Sequence, residues 1–301
     1  MKKNKFNNIS GLTLIEILIG IIITTIMMAA IYTSYTVVNN SYSQVTDRAK
    51  ISSAGRDIVG MLMRDIRMAG FKYYFGINDL GISSNDNLQY VAGDDDATFN
   101  DSHAPLVVLK ETLGYNRDDA ALAPTKINNA DLCCDRIHIV YGDFNQNDKD
   151  QPYKRYRLTY FADKEPGNDF YSVYKTKESW IQKHLELTGS WSDTCSECYV
   201  RERIRDHIVD MEFTVIGDEG QLLDPPPRPD NSSSKDLYNI KTVDVRLTFR
   251  SHNTFFRNYA PTNKPRLVKG MGNERTHEFT DRYLRDSIVV SIHTRNIGSD
   301  I

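Results

Sequence analysis

LTLIEILIGIIITTIMMAAIYTSYTVV, residues 12–38, decides how this chain is read. About 27 residues at ~1.5 Å rise make roughly 40 Å of helix, enough to cross a hydrocarbon core of ~30 Å. Thr24 and Thr25 fit such a span because their hydroxyls can bond back to helix carbonyls. Glu16 does not fit so easily, since a carboxylate in an apolar span costs at least ~2.5–3.5 kcal/mol unless it has a partner. Just upstream stand Lys2, Lys3 and Lys5 with no acid before residue 12. Without those three, the chain holds 34 of its 37 basic residues against all 40 acidic ones, a net of −6. The basic start is therefore a topological signal rather than part of a fold.

A secretory signal peptide would have a shorter apolar core and a small-x-small cleavage site after it. A plain signal anchor would explain the length and the basic flank but leave Glu16 unaccounted for. Gly11-Leu12-Thr13-Leu14-Ile15-Glu16 instead resembles the prepilin peptidase motif of type IV pilin-like proteins. There a short basic leader ends in Gly, an apolar residue follows, and Glu stands five positions into the mature chain. Leu12 takes the place where Phe is commonest. The resemblance implies cleavage between Gly11 and Leu12, N-methylation of Leu12, and an assembly role for Glu16. A new ammonium would lie about one turn from that carboxylate, and in a filament Glu16 of one subunit would neutralise the N-terminus of its neighbour. Pairing removes most of the cost that each charge carries alone in lipid.

Helical periodicity continues beyond Val38. Ile51, Ala54, Ile58, Met61, Leu62 and Ile66 recur at three- and four-residue steps and share a face. Asp47, Lys50, Arg56, Asp57, Arg64, Asp65 and Arg67 read as the polar side, and Gly70 as the residue closing the helix. Gly20, Gly55 and Gly60 are candidate bend points. The run from Arg64 to Phe71 is similar to the segment closing the long helix of PilW-type minor pilins, relatives of the J-type pseudopilins of type II secretion. The stretch from Ile288 to Asn296, terminating in Arg295-Asn296, also resembles their last strand.

From residue 105 the pattern turns to strands, at 105–110, 136–142, 155–162, 170–175, 199–216, 240–249 and 286–295. Val243, Val245, Leu247 and Phe249 alternate with Asp244, Arg246 and Thr248, which suits an antiparallel sheet with one covered face. Residues 76–104, with Asp94-Asp95-Asp96, and 217–236, with Pro225-Pro226-Pro227 and Ser232-Ser233-Ser234, read as loop insertions. The expected fold is α+β and type IV pilin-like. It comprises a leader (1–11), a membrane and filament-core helix (12–38), its amphipathic continuation (39–70) and a β-rich globular domain (71–301).

Four cysteines fall in two clusters, Cys133-Cys134 and Cys195-Ser196-Glu197-Cys198. Disulfides are expected of an exported protein, with pairing between the clusters favoured over a bond between adjacent residues. A local Cys195–Cys198 bridge beside two thiols, or a four-thiolate zinc site, are the alternatives. Asp143, Asn145 and Asn147 offer oxygens at alternate positions, as a calcium loop does at its start. Asp148 and Lys154 break that pattern, and an Asn/Asp-rich turn explains the same residues. The near balance of charge carries no chain-wide nucleic-acid footprint. Tyr153-Lys154-Arg155-Tyr156-Arg157 is a local basic-aromatic mix that strand alternation also accounts for. The seven histidines show no catalytic spacing, so no enzyme is expected.

The family resemblance implies a minor pilin that primes or caps a type IV pilus. Its expected partners are other pilins, the prepilin peptidase and the inner-membrane assembly platform. The globular part would lie in the periplasm until assembly. The alternatives are a type II secretion pseudopilin and a filament-borne adhesin or ligand-binding module.

Overall fold

Helix α1 runs unbroken from Leu14 to Met68. The computed structural model describes residues 13–71, 104–110, 133–144, 153–164, 170–182, 189–228, 234–255, 266–271 and 276–297. The leader, the insertion expected at 76–104 except for Ala104, and the residues Asn145 and Asn147 lie outside the described residues. Two compact units result, Met1–Ala49 and Lys50–Ile301, with the boundary inside α1.

The described part of the first unit is helix alone. In the second unit the helix is amphipathic. Ile51, Ile58, Leu62, Ile66 and Ala69 are buried, while Met61 is half-buried. Gly55 allows the close approach, because a Cβ there would stand 2.0 Å from Ile288 Cδ1 and 3.3 Å from the Phe249 ring. It is a packing residue rather than a bend point. Gly20 and Gly60 face open space within the same continuous helix. Gly70 closes the helix with φ +73°, a conformation only glycine adopts freely. Its N–H donates to Val140 O at 2.9 Å, Phe71 O accepts from Gly142 N at 2.8 Å, and Asn296 Nδ2 donates to Arg67 O at 2.9 Å.

The strands are β1 (Leu106–Leu109), β2 (Arg136–Phe144), β3 (Tyr153–Asp163), β4 (Tyr171–Gln182), β5 (Gly189–Ser192), β6 (Tyr199–Gly217), β7 (Leu222–Leu223), β8 (Ile240–Thr254), β9 (Arg266–Lys269), β10 (Thr276–Phe279) and β11 (Tyr283–His293). An antiparallel sheet follows the order β1-β2-β3-β4-β6-β8-β11, with β5 added to β4 and β7 to β6. Strands β9 and β10 form a separate two-stranded ribbon. The α+β architecture expected from the sequence is therefore present. All seven expected strands occur, some longer than their apolar stretch.

Asp135 shows how the sheet curls. Its N–H donates to Met211 O at 2.7 Å and its carboxylate accepts from Phe213 N at 2.9 Å, so the start of β2 reaches β6 although the two are not neighbours in the sheet. Inside the curl, Ile137, Ile139, Leu158, Tyr160, Phe213, Val245 and Leu247 meet the buried helix stripe in one core. A register shift between Ile208 and Asp210 changes which alternate residues of β6 face inward, so Ile208 and Met211 are both in that core.

Two expectations need correction. The sheet is not covered on one face alone. Arg246 and Thr248 are buried as well: Arg246 stands 3.7 Å from both Asp210 and Glu212, acids that also meet His277 Nε2 at 3.3 Å and Met271 N at 2.8 Å, while Thr248 Oγ1 lies 2.8 Å from Ser287 Oγ. Asp65 and Asp47, read as polar-face residues, are also buried.

Candidate functional site

The first turn of α1 is a capping box, with Thr13 at the N-cap and Glu16 three residues on. Thr13 N and Thr13 Oγ1 each donate to Glu16 Oε2 at 2.8 Å, and Glu16 N donates to Thr13 Oγ1 at 3.4 Å. Helix ends leave N–H groups without partners, and these bonds satisfy them locally. One carboxylate oxygen thus serves Glu16's own helix. Oε1 takes no part in these three bonds. Gly11 and Leu12 lie outside the described residues.

From Leu14 onward the apolar side chains are exposed all around the helix, from 49% at Leu18 and Ile19 to 80% at Leu14. A helix apolar on every side must find cover in lipid or in other helices. Thr24 and Thr25 donate to Gly20 O at 2.6 Å and Ile22 O at 2.8 Å, as the sequence suggested, and Ser41 donates to Val37 O at 2.9 Å. Each of those three hydroxyls is thereby matched by a carbonyl of its own helix. Among the described residues, α1 alone is long and apolar enough to cross a membrane.

The second acid that matters on α1 is Asp65, which sequence reasoning missed as a site. It sits on the apolar stripe, three residues from Leu62 and seven from Ile58, and that spacing was the available signal. Tyr160 Oη and Lys175 Nζ both donate to its Oδ2 at 2.6 Å. Lys175 also stands 5.2 Å from the Tyr160 ring centroid. Burial, reinforced by the Asp65 carboxylate, pushes the Tyr160 phenol well above its ordinary value, so it remains a donor. The trio ties the helix to the middle of the sheet.

On the outer face, His138 Nδ1 lies 2.7 Å from Thr159 Oγ1. Burial, then the charges of Arg157 and Arg136, hold this imidazole well below the usual histidine range. The basic-aromatic mix of β3 resolves into internal contacts. Tyr156 faces the core, and Arg157 pairs with Glu178 at 2.8 Å while standing over the Trp191 ring.

The cysteines pair within their clusters, Cys133 with Cys134 and Cys195 with Cys198. This corrects the expected pairing between clusters. A turn in which Cys198 N donates to Cys195 O at 3.0 Å sets those Cα atoms 4.9 Å apart, inside the usual disulfide window, so closure needs no distant partner. Cys133 and Cys134 are buried beside Asp135, and Cys134 has φ 136°. The pairing also removes the thiolates that a zinc site would need.

Asp143 is exposed near the end of β2, directly opposite Lys154. Among the described residues, no three His, Cys, Asp or Glu converge on a common point.

Residues 6–32 match the prokaryotic N-terminal methylation motif. The match contains Gly11, Leu12, Thr13 and Glu16 together with the apolar span as far as residue 32. No curated protein matches the chain. Among solved structures, a type IV-like pilin from Thermus thermophilus is similar over 83% of this chain and 100% of its own, at 10% identity and a TM-score of 0.41.

Proposed function

We propose that this chain is a type IV pilin-like subunit, and more specifically a PilW-type minor pilin that primes or caps a pilus with other minor pilins. The observation that carries the reading is an all-round apolar helix opening on a Thr13–Glu16 capping box within a matched methylation motif. On this reading the prepilin peptidase cuts after Gly11 and methylates Leu12. The helix then leaves lipid for the filament core, where Glu16 meets a neighbour's new N-terminus. The globular unit waits in the periplasm, and the assembly platform draws the subunit out. Nothing in this scheme needs catalysis by the chain itself.

Exchange of Glu16 tests it. Glu16→Val leaves insertion and cleavage intact while lowering incorporation on the order of 100-fold, the effect of stranding one ammonium in an apolar core. Normal incorporation contradicts the charge-pair mechanism. A pseudopilus subunit would use the same N-terminal physics, and deletion separates the two: loss of pili supports the minor-pilin reading, and loss of secretion with pili intact supports the other. Calcium at Asp143, Asn145 and Asn147 is a separate proposal. Calorimetric titration with no heat and no change in melting temperature contradicts it.

A further inference from the structure

His207 lies in β6 where the pairing with β4 shifts register between Tyr171–Ile208 and Ser172–Asp206, which makes it the bulged residue. It also has φ 64°, the left-handed region that non-glycine residues rarely occupy and in which histidine is among the enriched types. The bulge brings its Nε2 to 2.9 Å from Nδ1 of His252 on the neighbouring strand β8. His252 is exposed, and the Phe170 ring backs His207 with centroids 4.1 Å apart.

We propose that His207 and His252 form a two-imidazole site for a divalent transition-metal ion with tetragonal preference, Cu(II) before Zn(II). Imidazole is the side chain best suited to these ions. Bonds of ~2.0–2.1 Å place two cis nitrogens about 2.9 Å apart at a right angle and about 3.3 Å apart at a tetrahedral one. The observed separation matches the right-angled case, which is the tetragonal geometry of Cu(II). The outermost torsion of histidine is soft, so a modest ring rotation turns both lone pairs to one point on the solvent side. Water fills the remaining positions there. The Arg250 guanidinium, two residues from His252 on β8, lies over the rings of Phe170 and Tyr283.

The test uses the full-length, untagged protein in detergent, titrated with Cu(II) and read by calorimetry and by electron paramagnetic resonance sensitive to imidazole nitrogen. One ion per chain with two imidazole nitrogens is expected. His207→Ala and His252→Ala each weaken that site at least ~10-fold, because losing a ligand exceeds the 10–100-fold typical of losing a ligand's supporting contact. His252→Gln keeps a hydrogen-bonding partner for His207, so it retains the metal-free melting temperature while losing the two-nitrogen signal. His293→Ala on β11 leaves the signal unchanged. Absence of a two-imidazole signal overturns the proposal and leaves the pair an interstrand hydrogen bond. So does a signal that survives His252→Gln.

Discussion

Glu16 and Asp65 sit on the same helix and differ in where their partners come from. Glu16 is met by Thr13, three residues away, in its own first turn. Asp65 is met inside the fold by Tyr160 and Lys175, 95 and 110 residues away, its neighbour Arg64 pairing only from solvent at 3.5 Å. The flanking helix surfaces differ in the same sense, with apolar side chains exposed all round after Glu16 and a buried stripe around Asp65. An acid whose partners lie across the fold holds the fold together. An acid whose partners lie in its own turn contributes little to the distant core and remains available to a neighbour.

Removing Asp65 is the strongest way to break this contrast. Asp65→Ala leaves the Lys175 ammonium buried and unpaired, which costs ~3–5 kcal/mol. Denaturant unfolding of the full-length chain in detergent should show that loss, and Asp65→Leu with Lys175→Met should recover much of it. A loss below ~1 kcal/mol would place Asp65 with ordinary surface pairs.

Next in size is Gly55→Ala, where the new methyl overlaps Ile288 and the cost is ~1–3 kcal/mol. Ile288→Val removes the overlapping δ-methyl and should restore most of the stability. Without rescue, Gly55 would be acting through something other than close packing.

His138 sharpens the contrast through pH. Its folded value is depressed, so its contribution is complete above the unfolded value of ~6.5 and is lost as pH falls from there toward the folded one. Stability should decline by at most ~1.4 kcal/mol per pH unit over that window. The ring keeps some exposure, so the decline is shallower than for a fully buried histidine. His138→Gln should flatten the curve between pH 6.5 and 5, a window well above the titration of Asp281, which the Arg285 and Arg266 side chains hold low against its burial.

Smallest of all is the effect of Glu16→Gln on folding. Only a helix cap is altered, and the unfolding midpoint of the globular unit should stay within ~0.5 kcal/mol while filament incorporation drops. A large fall in stability would mean that Glu16 serves the fold as Asp65 does.

Much of the architecture was legible because it rests on local pattern. The apolar span, the Gly70 terminus and the alternation from Val243 to Phe249 follow from residues close in sequence. The capping box is just as local, Thr13 and Glu16 standing three apart, but the reading of Glu16 as an assembly charge passed over it. What was hidden depends on distant approach. Asp65 looked polar-facing until Lys175 came to meet it, and Gly55 looked like a hinge until Ile288 filled the space beside it. The ribbon of β9 and β10 was missed because its strands, RLVK and THEF, are short and mix charged with apolar residues, without the apolar run LVVL that marked β1. Bulges at His207 and near Ile208 shift register in ways that residue patterns do not announce. The cysteine pairing followed a local turn rather than a long-range staple.

The N-terminus of the protein recovered from membranes and filaments tests the central claim most directly. Intact-mass and fragment mass spectrometry should find a chain beginning at Leu12 and bearing one added methyl on its amino group. A chain retaining residues 1–11, or cut elsewhere, would contradict the account.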